Sequence, residues 1–358
     1  MSKEYTALGL MSGTSGDGVD ASIVKSNGTN KYTVILDKYF KYNDDIYENI
    51  HKLKEGISSS KDLKILSKEI AKLEKKITIF HAEIISKLSN ENFDMVGFHG
   101  QTIFHNASEK ISKQLGDGKL LSQLIKKDVV YNFRENDLQN GGQGAPLAPI
   151  FHKLIVEQKK ISLPVSILNI GGIANLTSLK NNNIIFSSDI GPGNCLIDKW
   201  IRANSKKNFD KDGLLAKSGK INKIILNQTM ENFHYSIEQN KSYDINDFDI
   251  SFVRGLSIED GAATLTELTA EIIAKISLDN KIFVCGGGRK NKFLLERIQK
   301  KINGKIELID NLGINGDFVE SQAFAYISIR SFLSLPISFP GTTGIKEAQS
   351  GGTIIKTK

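Results

Sequence analysis

Ser188-Asp189-Ile190-Gly191-Pro192-Gly193-Asn194 sets an acid after an apolar run (Ile184, Ile185, Phe186) and before a turn of glycine and proline. Leu196, Ile197 and Trp200 then return at helical spacing, so the stretch predicts strand, turn, helix. A carboxylate at a strand end, beside glycines that let backbone approach a ligand, suits a general base. An Asp that merely opens a turn has the same local appearance. The surrounding chain must decide between the two.

Upstream, Val165–Ile170 reads as a strand, 171–175 (Gly171, Gly172, Asn175) as a tight turn and Leu176–Leu179 as the returning strand, with a third strand from Ile184 delivering Asp189. The opening of the chain has the same plan. Residues 5–12 are a strand, Gly13-Thr14-Ser15-Gly16-Asp17-Gly18 a turn, 19–24 a second strand and 32–40 a third. Small, hydroxylated residues with an acid at a hairpin tip can offer N–H groups to a phosphate and a carboxylate to a hydrated Mg2+, which slightly favours phosphate binding over a plain hairpin turn. A strand follows rather than Gly-Lys-Ser/Thr and a helix, so this is not a Walker loop. A glycine-turned strand unit followed by helices, occurring in each half, predicts a duplicated α/β architecture.

Between these units, residues 46–88 carry apolar residues at helical steps, and the strand 93–98 leads into His99-Gly100-Gln101-Thr102. Arg134 and Asp137 precede a loop from Gly141 to Pro149 that includes Gly144, Ala145 and Pro146. Its framing prolines read as a shaped binding loop rather than a linker. Residues 208–258 are polar with few chemical signals. Further on, Lys281–Val284 is a strand, and Gly286, Gly287 and Gly288 precede Asn291 and a helix, a setting that suits parts of a nucleotide. Glu320 begins the last long helix, and Thr353–Ile355 is a short closing strand. The predicted domains are 1–130, joined by a tail at 338–358, and 131–337.

The chain has 358 residues, of which 40% are hydrophobic and 24% charged, enough for two cores of ordinary size. Its net charge of +7 is spread over lysines mixed with acids, without a dense basic block, so no nucleic-acid partner is expected. Cys195 and Cys285 stand far apart without a Cys-x-x-Cys partner, which argues against a disulfide framework or a zinc site. No apolar run approaches a membrane span, and the lead before Leu8 is too short for a signal-peptide core. A cytoplasmic protein without a membrane partner is expected.

Taken in order, Met11-Ser12-Gly13-Thr14-Ser15 with Asp17-Gly18-Val19-Asp20, His99-Gly100-Gln101-Thr102, Phe133-Arg134 with Asp137, and Gly141 to Pro149 form the first part of a longer pattern. It continues through Asn169 to Asn175, Asp189 with Gly191 to Asn194, Gly286 to Gly288 with Asn291, and Glu320. Nearly end to end, this pattern resembles the anhydro-N-acetylmuramic acid kinase family of the sugar kinase–Hsp70–actin superfamily. The resemblance implies two ribonuclease-H-like α/β domains of the actin-type ATPase class flanking a central cleft. It implies ATP and Mg2+, a small-molecule sugar substrate, and a homodimer. By resemblance, Gly13, Thr14, Ser15, Gly16, Asp17, Gly18, Val19 and Asp20 form a first phosphate loop, with Asp17 holding Mg2+ through water. Gly171, Gly172 and Asn175 form a second phosphate loop, and Gly286, Gly287, Gly288 and Asn291 the adenosine side. His99, Gln101, Arg134, Gly144, Ala145, Pro146, Gly193, Asn194 and Glu320 face the sugar, and Asp189 is the base.

The implied reaction opens 1,6-anhydro-N-acetylmuramic acid with water and phosphorylates its 6-oxygen at the expense of ATP, in peptidoglycan recycling. An ordinary sugar kinase without ring opening is the nearest alternative; a nucleotide-switched, Hsp70-like binding protein is a more distant one. The chain departs from the family pattern at Asn132, where an acid usually precedes Phe-Arg, which implies a weaker orienting contact for Arg134. Ile190 replaces a small hydroxyl residue, Gly118 a proline and Gly16 an apolar residue.

Overall fold

The computed structural model describes residues 3–181, 184–233, 242–276 and 281–357; residues 234–241 of the polar middle stretch thus lie outside the described residues. The strands, in chain order, are β1 (Tyr5–Ser12), β2 (Gly18–Ser26), β3 (Tyr32–Lys41), β4 (Met95–Asn106), β5 (Ile111–Leu115), β6 (Asp128–Tyr131), β7 (Val165–Ile170), β8 (Ile173–Asn181), β9 (Ile184–Pro192), β10 (Lys281–Cys285), β11 (Ile306–Leu308) and β12 (Thr353–Ile355). They form two sheets, ordered β12-β6-β4-β1-β2-β3 and β11-β10-β7-β8-β9, with β5 added to the first through β4.

The two sheets share one plan. In the first, β1, β2 and β3 are antiparallel neighbours, and β4 and β6 continue in parallel from β1. In the second, β7, β8 and β9 are antiparallel, and β10 and β11 continue in parallel from β7. Three antiparallel strands followed by parallel ones give the ribonuclease-H-like order, so the duplicated α/β architecture is present in both halves. A strand with both faces covered is buried along its whole length. Val165–Ile170, for example, is buried at every position.

The chain divides into a unit of residues 1–161 with 318–358 and a unit of residues 162–317. The expected divide at residues 130/131 and 337/338 is therefore displaced. β6 still pairs with β4 and β12 beyond residue 130. The helix Val319–Phe332, predicted for the second domain, packs on β1, β2 and β4 and receives the helix Pro149–Gln158. What permits that packing is visible at Gly9 and Gly97, register partners on β1 and β4. A Cβ on Gly9 would stand 2.1 Å from the Ser321 carbonyl oxygen, and one on Gly97 would stand 2.0 Å from Ser328 Oγ. Helix backbone lies directly on the sheet there, as only glycine allows.

Each unit has its own core. Leu8, Leu10, Ile23, Ile77, Val96 and Phe98 belong to the first. Leu168, Ile170, Ile190, Trp200, Leu265 and Val284 belong to the second. Each such side chain contributes roughly 1.5–3 kcal/mol by leaving water. Ile190, a departure from the family pattern, is thus a core residue. The expected helical run at 46–88 is broken into Asp44–Glu55, Ser60–Ile65 and Ser67–Lys87, with Asn43 capping the first through a bond from Ile46 N–H at 2.9 Å. Among the described residues no helix is long and apolar enough to cross a membrane.

Candidate active site

In the unit of residues 162–317, Asp189 does not end its strand as predicted. β9 runs on to Pro192, and Asp189 sits within it opposite Asn175 on β8, next to a bulge between Ala174 and Asn175. Such a bulge re-aims side chains without ending the pairing. Asp189 is 7% exposed, and its Oδ2 accepts from the Tyr243 N–H at 2.9 Å and from the Ser242 hydroxyl at 3.2 Å.

The glycine turns beside it are joined by backbone bonds. Gly193 N–H donates to Gly172 O and Asn194 N–H to Gly171 O, both at 2.9 Å; Cys195 N–H reaches Gly172 O at 3.1 Å. A Cβ on Gly193 would lie 2.4 Å from the Gly171 carbonyl oxygen. The Gly171–Gly172 turn and the Gly193–Asn194 turn are therefore one piece, followed by the helix Cys195–Asn204, whose first N–H is spent on Gly172 O. The third glycine run joins the same place. A Cβ on Gly288 would lie 3.0 Å from Asn194 Nδ2, and one on Gly286 2.3 Å from Asn169 Oδ1, whereas Gly287 has open space before it. Asn291, predicted on the nucleotide side, spends its Oδ1 on capping the helix Lys292–Gln299 through Leu294 N–H at 2.9 Å. That oxygen is a structural cap.

Arg289 was not singled out by sequence. It is buried, donates to Asp310 Oδ2 at 2.8 Å and Asp317 Oδ1 at 2.6 Å, and reaches Gly286 O at 3.2 Å. Burial pulls its pKa down, but the two carboxylates outweigh that and raise it. The guanidinium braces the glycine run against the loop at 310–317. Nothing in the local spacing reveals this pairing, because the acids lie 21 and 28 residues away.

In the unit of residues 1–161 and 318–358, the β1–β2 hairpin tip spans Gly13–Asp17, since β2 already begins at Gly18. Val19, predicted in the phosphate loop, has its side chain in the core at 0% exposure, and Asp20 is paired within the sheet. These two residues leave the loop proper to the five before Gly18. Ser15 Oγ–H donates to Asp17 Oδ1 at 2.5 Å, and the Lys54 ammonium, buried on the helix Asp44–Glu55, donates to Thr14 O at 2.9 Å. Gly16 takes a left-handed φ of 64° at this turn, with Ile50 Cγ2 2.9 Å from where a Cβ would stand. An apolar side chain would be strained there by the positive φ and would need Ile50 to shift.

His99 and Gln101 were predicted to follow a strand, but they lie inside β4, which stays paired with β1 as far as Ser12↔Gln101 after a register shift at Leu10/Met11. Gln101 is fully buried and its Nε2 donates to Gly13 O at 3.0 Å, so it supports the hairpin tip rather than the other predicted sugar residues. Its Oε1 is buried without a hydrogen-bond partner among the described residues. His99, Arg134 and Gly144 do come together, and the Arg134 charge acts on the Glu320 carboxyl. Arg134 donates to His99 Nε2 at 2.9 Å and to Gly144 O at 2.8 Å, and His99 Nδ1 faces Gly100 O at 2.8 Å. This network assigns a neutral His99 protonated on Nδ1. Burial, followed by the Arg134 charge, lowers its pKa to about 3. Burial also raises the Glu320 carboxyl, with Arg134 pulling the other way.

Asp137 holds the loop that carries Gly144, Ala145 and Pro146. It is buried, accepting Gly144 N–H on Oδ2 and the Thr343 hydroxyl on Oδ1, both at 2.6 Å. Asn132 is exposed and left-handed at φ 53°, a conformation Asn tolerates better than most residues. The orienting bonds to Arg134 given above come from His99 and Gly144, so the exchange at Asn132 does not touch them. At Gly118 a Cβ would stand 2.5 Å from the Tyr131 ring, which fills the place a proline would need.

A family model described as anhydro-N-acetylmuramic acid kinase matches residues 5–357. A protein of that name from Pelagibacter ubique is 54% identical over 99% of this chain and 100% of its own length. Those from Zymomonas mobilis and Agrobacterium fabrum are 36% and 34% identical, over 97% and 99% of this chain and 99% and 100% of theirs. The chain belongs to the anhydro-N-acetylmuramic acid kinase family.

Proposed function

We propose that the protein opens 1,6-anhydro-N-acetylmuramic acid with water and transfers the γ-phosphoryl group of ATP to the freed 6-oxygen, giving N-acetylmuramic acid 6-phosphate and ADP in peptidoglycan recycling. Asp189 takes a proton from water as the water oxygen bonds to carbon 1 and the bond from carbon 1 to the 6-oxygen breaks. The 6-oxygen then accepts the phosphoryl group, and the proton leaves to solvent. The observation that carries this reading is the nearly buried Asp189 carboxylate, whose Oδ2 accepts from Tyr243 N–H, in the same unit as two glycine turns joined by backbone bonds and a third packed against Asn169 and Asn194.

The Gly171–Gly172 and Gly13–Asp17 turns are proposed to bind phosphates with backbone N–H groups, and Gly286–Gly288 the adenosine. Asp17 offers one exposed carboxylate, which fits Mg2+ because that ion keeps several waters and is bound largely through nucleotide phosphates. When bound, it would neutralise charge on the transferred group. His99, Arg134, the Gly144–Pro146 segment, Gly193, Asn194 and Glu320 are proposed sugar contacts. Arg134, held by the neutral His99 and the Gly144 carbonyl, is proposed to meet a carboxylate such as that of the lactyl ether. By the same resemblance, the enzyme is proposed to act as a homodimer in the cytoplasm, where ATP is supplied.

The substrate reading is checked by offering the anhydro sugar and the reducing sugar, N-acetylmuramic acid, side by side with ATP. ADP release is expected with the first and at most a trace with the second. Equal or greater turnover of the reducing sugar would make this an ordinary hydroxyl kinase.

A further inference from the structure

The polar stretch 208–258 carries no motif, yet its return to β9 puts two donors on the atom at which the chemistry is proposed. Ser242 Oγ–H and Tyr243 N–H both end on Asp189 Oδ2, at 3.2 and 2.9 Å. Two bonds to one carboxylate oxygen constrain the plane of the group more closely than either bond does by itself. The donors are themselves held. Asp244 N–H donates to Asp247 Oδ2 at 2.8 Å and Asp247 N–H to Asp244 O at 3.0 Å, closing a turn directly after Tyr243. The Tyr243 ring lies 5.4 Å from that of Phe248, which is buried in the core of the same unit. The segment is thus attached to the core on one side and to the carboxylate on the other.

We propose that Ser242 and the backbone N–H of Tyr243 are positioning groups for catalysis, holding the Asp189 carboxylate in the orientation from which it takes the proton of water. This rests on the reading of Asp189 as the base. A purely structural role, satisfying a nearly buried carboxylate, would show in stability; a positioning role shows in turnover. General-base efficiency depends on geometry first, so a carboxylate free to rotate loses rate while substrates still bind.

The test compares Ser242→Ala, Ser242→Thr and Ser242→Val in the full chain, with Asp189→Asn beside them. Ser242→Ala is expected to lower kcat roughly tenfold, the lower range for a hydrogen bond to a charged group. KM for ATP and for the anhydro sugar, and the thermal midpoint, stay near those of the parent. Ser242→Thr, which keeps the hydroxyl, recovers most of kcat; the equally shaped Ser242→Val does not. The Thr and Val pair carries the comparison should the Ala variant fold poorly. If Asp189→Asn is inactive while Ser242→Ala or Ser242→Val turns over normally, or loses only stability, the positioning role is overturned and the base remains. If Asp189→Asn is itself active, the base reading fails instead.

Discussion

Asp189→Asn is expected to lower kcat with the anhydro sugar by roughly 10²–10⁴-fold, the usual loss on removing a general base. The exchange isolates basicity. The amide has nearly the same shape, and its oxygen can still accept from Tyr243 N–H and Ser242 Oγ–H, so the bonds at 2.9 and 3.2 Å need not be lost. Ile190, the next residue, is packed into the core, so the backbone beside residue 189 is held independently of the acid. ATP affinity, read by nucleotide titration without sugar, is expected to stay within a few-fold because the glycine turns are untouched. A variant with near-normal turnover would remove Asp189 from the mechanism.

The second large effect is a loss of stability in mild acid. Burial lowers His81, His105 and His152 to about 4 and His99 to about 3. All four lie in the unit of residues 1–161 and 318–358. Their folded pKa values lie below the unfolded value of 6.5, so between 6.5 and about 4 the unfolded chain binds more protons. Stability is then fully present above pH 6.5 and declines as pH falls, by up to about 1.4 kcal/mol per pH unit for each histidine. Asp37 and Glu320, raised by burial, act in the opposite sense as pH nears the carboxylate range. The effect is therefore read between pH 6.5 and 5.5. Urea unfolding across that interval should show a clear fall in midpoint; a midpoint that holds or rises would mean these histidines are not neutral and enclosed as described.

Much of this architecture is legible in the sequence because backbone chemistry is local. Gly13 to Gly18, Gly171-Gly172 and Gly286 to Gly288 each follow an apolar strand, and such glycine clusters after a strand announce turns. What is not legible depends on partners far along the chain. The bulge that keeps Asp189 inside β9 arises from register against β8. The donors to Asp189 lie 53 and 54 residues away in a stretch of ordinary polar composition. The division between units turns on Gly9 and Gly97, two strand glycines that look unremarkable until a helix more than 200 residues later lies on them. Likewise, nothing beside Gln101 indicates that its amide reaches the carbonyl of Gly13.

The claim most in need of a direct test is that water, activated by Asp189, enters at carbon 1 while the 6-oxygen takes the phosphoryl group. A single-turnover reaction in water enriched in heavy oxygen, with the product fragmented and weighed at once, reads this atom by atom. An unlabelled sample of product held in the same water for the same time corrects for exchange at the anomeric carbon. One heavy oxygen on carbon 1 and none in the phosphate ester is the expected result. Product without label at carbon 1, or with heavy oxygen in the phosphoryl group, would contradict it.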